Sequence, residues 1–478
     1  MKRFIEGENR FQSTLFPESL EDYIAEDNAI RVVDAFVNKL DLKQLGFDRA
    51  EPSATGRPGY QPGTMLKIYV YGYLNRIHSS RRLERESHRN VELIWLTGRL
   101  MPDFKTIADF RKDNRQAIRR VCMEFVGVCR ELELFSATLV AIDGSKFKAV
   151  NSRDKNFTRK SVKLRLKKTQ ANIDRYLAKL DQVDKEEPEI REATAQELKQ
   201  KIASMEANME QLKGYEAEVE AHADKQLSVT DPDARSMMKA GGGSQVGYNV
   251  QTAVDSKHHL IAAHEVTNAT TDRSQLSSMA GQAKTALDAE TLTVIADPGY
   301  YKGEEIVECQ NNGIKALVPK VDTSGSKSKG RYSKADFRYD AERNEYICPA
   351  GQRLTYRFDS VEHGMKLWAY MTYQCSSCPL QAKCTTSNAK RIKRWEHEAV
   401  LDAAQAELKN QPEAMRQRKR LVEHPYGTIK HWMGSTHFLM KRLPNVKAEM
   451  SLHVLAYNLR RAINILGAEK IIAQLQPT

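Results

Sequence analysis

Two short stretches, SATLVAIDGSK (136–146) and TVIADPGYYKGEEI (293–306), share one pattern: an apolar run that stops on an aspartate just before a turn. The first ends at Asp143-Gly144; the second ends at Asp297-Pro298-Gly299 and then takes on a helical spacing. Short apolar runs rich in β-branched residues and bounded by turn signals read as buried strands. Aspartate before Pro-Gly is ordinary turn chemistry. The carboxyl end of a buried strand is also where α/β folds collect ligand-binding groups. Between the two stretches, VGYNVQTAVDSKHH and LIAAHEVTNA flank a polar turn and predict a hairpin, and DRSQLSSMAGQAKTAL predicts a helix. After the second come a helix, GEEIVECQNNG, and a strand, KALVPK. The order of three strands, helix, strand, helix, strand gives an α/β fold on a mixed sheet flanked by helices, not a doubly wound one.

At 478 residues the chain is too long for one core, and composition shifts divide it. Residues 1–135 read as an all-helical domain: Ile30, Val33, Phe36, Val37 and Leu40 share a face, and Phe110, Ile118, Cys122, Phe125, Cys129 and Leu132 form another stripe. Thr106 with Asp109 three residues on resembles a capping box. The sheet is expected from 136–158 together with 227–321. It is interrupted at 159–226, where Leu198, Ile202, Met205, Met209 and Leu212 repeat at coiled-coil spacing and Ile173, Leu177 and Leu180 do the same before Pro188. We expect an antiparallel helical hairpin there. A Gly/Ser/Lys-rich segment from 323 opens a Cys-rich insertion, 322–400, and residues 401–478 close the chain with helices.

The net charge of +12 favours a polyanionic partner, and its distribution is uneven. From Asp143 to Lys168 ten basic residues, Lys146 and Lys148 among them, face only Asp143 and Asp154; from Arg416 to Arg442 seven basic residues face Glu423 alone. An isolated acid in such a window is a poor choice for solubility. For Glu423 the plain alternative is a surface acid pairing with basic neighbours one helical turn away. No run approaches the ~18 apolar residues of a membrane span, and MKRFIEGENRFQSTLF has no apolar leader core, so a cytoplasmic chain is expected. Of seven cysteines, Cys122 and Cys129 fit core packing and Cys309 is solitary. Cys348, Cys375, Cys378 and Cys384 can surround a structural Zn²⁺; four reduced, unligated thiols are the alternative.

Asp143, Asp297 and Glu423 gathered at one sheet edge would repel one another without a hard divalent cation such as Mg²⁺ or Mn²⁺. AIDGSK, VIADPGYY and VEHPYGTIK, supported by GYNVQTAVD, HEVTNATTD and PDFKTIADFRKDN, resemble the acidic motifs of DDE-type insertion-sequence transposases of the branch with an N-terminal helical domain. The resemblance spans nearly the whole chain. It implies an RNase H-like catalytic domain, Asp143, Asp297 and Glu423 as a Mg²⁺-binding catalytic triad, and Lys430, seven residues after the glutamate, on a DNA phosphate. It implies double-stranded DNA as partner, both terminal inverted repeats and target, and a homodimer that brings two ends together at the nucleoid. Where the family often has Tyr and Arg, seven and four positions before the glutamate, this chain has Arg416 and Lys419, which keep charge for DNA and lose an aromatic. Asp255 and Asp272 are rival acids, read as a hairpin-turn residue and a helix N-cap. A metal-dependent nuclease without strand transfer, and a DNA-binding regulator whose acids are turn and surface residues, are the competing functions.

Overall fold

The computed structural model describes residues 19–476 except 53, 56–57, 184–187, 240–241 and 323–324. Six helices open it: α1 (Ala29–Lys39), α2 (Pro62–Leu74), α3 (Ser80–Ser87), α4 (Val91–Thr97), α5 (Phe104–Asp113) and α6 (Arg115–Glu131). Phe36 on α1 meets Phe125 on α6 edge to face with centroids 5.0 Å apart, the packing that the two apolar stripes foretell. The cap of α5 differs from expectation. Asp103, not Thr106, is the N-cap, accepting from the backbone N–H of Lys105 and Thr106 at 2.9 Å each. A carboxylate there also meets the positive end of the helix dipole.

The central sheet is mixed, as the element order requires. Strand β1 (Leu139–Lys148) runs antiparallel to β5 (Ser244–Asp255) and parallel to β7 (Leu292–Ala296), which in turn runs parallel to β8 (Ile314–Leu317). On the far edge of β5 lie β6 (Ile261–Thr267) and the short β4 (Arg235–Met238), both antiparallel to it. Helices α9 (Leu276–Leu287) and α10 (Gly303–Asn311) connect β6 to β7 and β7 to β8. Asp255 ends β5 as a turn residue, its carboxylate taking the N–H groups of Ser136, Ala137 and Lys257.

Between β1 and β4 a two-stranded ribbon, β2 (Asn156–Thr158) and β3 (Gln226–Ser228), closes the base of two long helices, α7 (Arg159–Val183) and α8 (Pro188–Ala221), which pack on each other. Ile173, Leu198, Ile202 and Leu212 are buried along them, but Leu177 is 44% exposed and stands outside the seam that its spacing predicts. Pro188 is the first residue of α8, where its missing N–H costs no helical bond.

After a single turn, α11 (Gly325–Ser328), a second sheet follows in the order β13 (Lys390–Trp395), β12 (Met365–Thr372), β11 (Arg353–Glu362), β10 (Glu345–Ile347), β9 (Arg338–Asp340). Four helices end the chain: α12 (Glu398–Asn410), α13 (Ala414–Gly427), α14 (Leu443–Leu466) and α15 (Ala468–Leu475). One continuous core joins the N-terminal helices, the central sheet and α14, which packs on α2, α6 and β6. No helix among the described residues is long and apolar enough to cross a membrane.

Candidate active site

Backbone pairing brings the first two acids together. Ile142 on β1 is opposite Ala296 on β7, so Asp143 and Asp297 are the next residues on neighbouring parallel strands. Asp297 leaves its strand in an extended conformation and accepts the Gly299 N–H at 2.8 Å, capping the turn Pro298–Tyr300. Asp143 accepts the N–H of Gly144 at 2.8 Å and keeps 24% of its side chain exposed. Burial pushes the Asp143 carboxyl up to about 6; Arg418 opposes that rise, and the nearby acids Asp297 and Asp272 add to it.

The cation facing Asp143 is Arg418, Nη1 to Oδ2 3.3 Å, with only 16% of the arginine side chain exposed. Sequence reasoning chose Arg416 and Lys419 instead. Arg416 pairs with Glu413 on the surface at 3.0 Å, and Lys419 lies 3.7 Å from Glu423. The signal that was missed is helical: Arg418, Val422, Pro425 and Tyr426 share the face of α13 that packs on β1 and β5. Tyr426 anchors that face, its buried hydroxyl shared between the carbonyls of Asp143 (2.9 Å) and Val250 (2.8 Å).

Glu423 is turned to solvent, and the acids beside Asp143 are Asp297 and Asp272. The Glu423 side chain is 65% exposed beside Lys419. Among the described residues no group of three or more His, Cys, Asp or Glu side chains is set to hold a metal ion. The helix does continue through Pro425 to Gly427 and then widens into a π-helical turn, Thr428–Trp432. Lys430, within that turn, points inward to Ser145 Oγ (2.6 Å) and the Lys146 carbonyl (3.2 Å), over the ring of Phe147. Burial lowers its pKa, and Asp143 opposes the shift.

Asp272 is the residue whose role the sequence reading missed. It does not cap α9, whose N-cap is Gln275. Its carboxylate accepts from Asn249 Nδ2 (2.6 Å), Gln251 Nε2 (2.7 Å) and Lys146 Nζ (3.1 Å). Gln251 in turn receives the hydroxyl of buried Tyr300, three residues after Asp297. Gly144 makes this network fit, since a Cβ there would stand 2.5 Å from Gln251 Nε2 and 2.6 Å from Asp272 Oδ1. The alternation of GYNVQTAVD puts Asn249 and Gln251 on one face of β5, which is the signal that could have found them. Lys148 is exposed at the end of β1. The four clustered cysteines lie away from this site, around a cavity beside the second sheet.

Two family models match the chain: one described as "Transposase domain (DUF772)" over residues 18–113, the other as "Transposase DDE domain" over residues 347–463. No curated protein matches. Among solved structures, a synaptic complex of the piggyBac transposase with hairpin DNA aligns with 94% of this chain and 79% of that one, at 9% identity and a TM-score of 0.34.

Proposed function

The chain belongs to the DDE-type transposases, whose domain families it matches near both ends, and we propose that it binds the inverted-repeat ends of its own element, cleaves them and joins the 3′-hydroxyls to target DNA. The observation that most supports this is the parallel register that sets Asp143 beside Asp297 at the end of β1 and β7. Three antiparallel strands, β1, β5 and β6, followed by the parallel pair β7 and β8, support an RNase H-like reading of the sheet.

Asp143 and Asp297 fit a divalent cation by chemistry: both are hard oxygen donors, and the carboxyl of Asp143 is raised first by burial and then by the acids Asp297 and Asp272. Glu423 completes the triad in this reading and must swing from its place beside Lys419 to do so. The bound Mg²⁺ or Mn²⁺ would stabilise charge on the phosphoryl oxygens and favour the attacking water or 3′-hydroxyl. Until then Arg418 balances Asp143, and the contacts of Tyr426 hold α13 against β1. Lys148, Arg416 and Lys419 are exposed and would meet phosphates, the last two by exchanging their surface pairs with Glu413 and Glu423, with Lys146 and Lys430 on the inner side. The N-terminal helices recognise the ends, and a homodimer brings two ends together.

Asp143→Ala and Asp297→Ala should each abolish cleavage of a terminal-repeat duplex in Mg²⁺ while gel-shift affinity for that duplex is kept. Full cleavage by either variant would reject the assignment. Pre-cut 3′-hydroxyl ends supplied with a plasmid target separate transposase from nuclease, because only strand transfer gives joined product.

A further inference from the structure

The second sheet is poorly supplied with core. Its own apolar cluster has five buried members, Phe337, Tyr346, Leu354, Tyr370 and Ile392. Strand β11 leaves Tyr356, Phe358 and Val361 exposed. A small unit with so little apolar burial usually needs a covalent or metal staple.

The four clustered cysteines stand where such a staple would sit. Cys348, Cys375, Cys378 and Cys384 line one cavity, closed on other sides by Tyr332 and Leu380. Cys348 follows β10, and Cys375 and Cys378 follow β12. Cys384 follows a single 3₁₀ turn and leads toward β13, so one centre would tie three strand ends together. The local backbone is arranged around sulfur. Cys348 N–H bonds the Gln352 carbonyl at 2.9 Å across a tight turn, while Gln352 N–H donates to Cys348 Sγ at 3.3 Å. Gly351 takes a φ of +78° in that turn, a value that a side chain resists. An N–H aimed at sulfur favours thiolate, the ligating form.

We propose that Cys348, Cys375, Cys378 and Cys384 bind one structural Zn²⁺, each thiol releasing its proton to water and donating a sulfur lone pair to the ion. As described, the side chains are not yet set as ligands, so they close on the ion by rotation about χ1. Zinc suits the donor set, because four thiolates in tetrahedral array select a soft-tolerant ion without geometric preference. The site fixes β10, β12 and β13 at one end and carries no chemistry of its own.

The full chain, purified without a metal-binding tag, should hold about one equivalent of zinc. Cys375→Ser with Cys378→Ser should lower this below a tenth, and Cys309→Ser and Asp143→Ala should leave it unchanged. Refolding with Co²⁺ in place of zinc should give a thiolate-to-cobalt charge-transfer band and the intense visible bands of tetrahedral cobalt. Chelating the wild-type protein should speed proteolytic cleavage within 322–400, a readout that does not need the double variant to fold. Zinc content well below half an equivalent with four freely titrating thiols, zinc retained by the double variant, or a native disulfide among the four would each overturn the proposal. Failure here leaves the catalytic reading intact, since Asp143→Ala tests that separately.

Discussion

Two parts of the proposed triad are held by different means. Asp143 and Asp297 are set by sheet register: β1 and β7 are paired residue by residue up to the positions just before the acids, so neither carboxylate can move far without breaking ladder bonds. Glu423 is set only by the rotation of α13, and the face of that helix turned inward carries Arg418, Val422 and Tyr426 instead. In the proposed site, strand pairing therefore holds two of the acids, and α13 carries the third, which would reach them only by moving, while Arg418 is paired with Asp143.

The largest expected effects test the difference directly. Asp143→Ala and Glu423→Ala should both reduce cleavage by at least about 10³-fold, about 4 kcal/mol in the barrier. Only the first should also change thermal stability, because Glu423 is largely exposed. Equal activity of Glu423→Ala and wild type would remove Glu423 from the triad and leave the fixed pair alone.

Next in size is Gly144→Ala. Its Cβ would be forced within 2.6 Å of Asp272 and Gln251, and overpacking of that kind costs about 1–3 kcal/mol. Chemical denaturation should show the loss. A variant as stable as wild type would mean that the Asn249–Gln251–Asp272 network is looser than its contacts suggest.

The pH dependence of Asp143 gives a smaller effect with a definite sign. Its folded-state pKa of about 6 lies above its ordinary 3.8, so the folded chain holds the proton more tightly than the unfolded one. The stabilisation is complete below pH 3.8 and is lost as pH rises through 6. At neutral pH without divalent cation, Asp143→Asn should therefore be more stable than wild type by about 1–2 kcal/mol, Arg418 being already included in the net shift. The difference should vanish near pH 4, and added Mg²⁺ should raise the melting temperature of wild type alone. A less stable asparagine variant at pH 7.5 would show that the Arg418 pair outweighs burial.

Smallest is Arg418→Gln. Removing the partner of Asp143 should raise that carboxyl further and shift Mg²⁺-dependent cleavage toward alkaline pH, by about one unit at most. An unmoved profile would make Arg418 a packing residue.

Much of this was legible in the sequence, for identifiable reasons. The apolar run before Asp143 and the one before Asp297 specify strands by composition, and their order specifies a mixed sheet. Asp255 follows from turn chemistry in the same way. What the sequence hid depends on rotation or on distant contacts. Arg418 and Lys419 differ by one position and 100° of helix, so a basic run does not say which member faces in. The π-helical turn that sends Lys430 inward has no local signal. Asp272 looks like a cap because it precedes a helix, and only the tertiary fold brings Asn249, Gln251 and Lys146 to it. Leu177 obeys the heptad spacing and yet is exposed.

The packing of α14 has a consequence for synthesis. The apolar faces of α2 and α6 are covered by a helix that begins at Leu443. A growing chain emerging from the ribosome therefore displays those faces for more than 300 residues of translation before their lid exists. A premature stop codon before α14 should therefore leave those faces uncovered and lower the solubility of the fragment, which centrifugation of the expressed fragment would check.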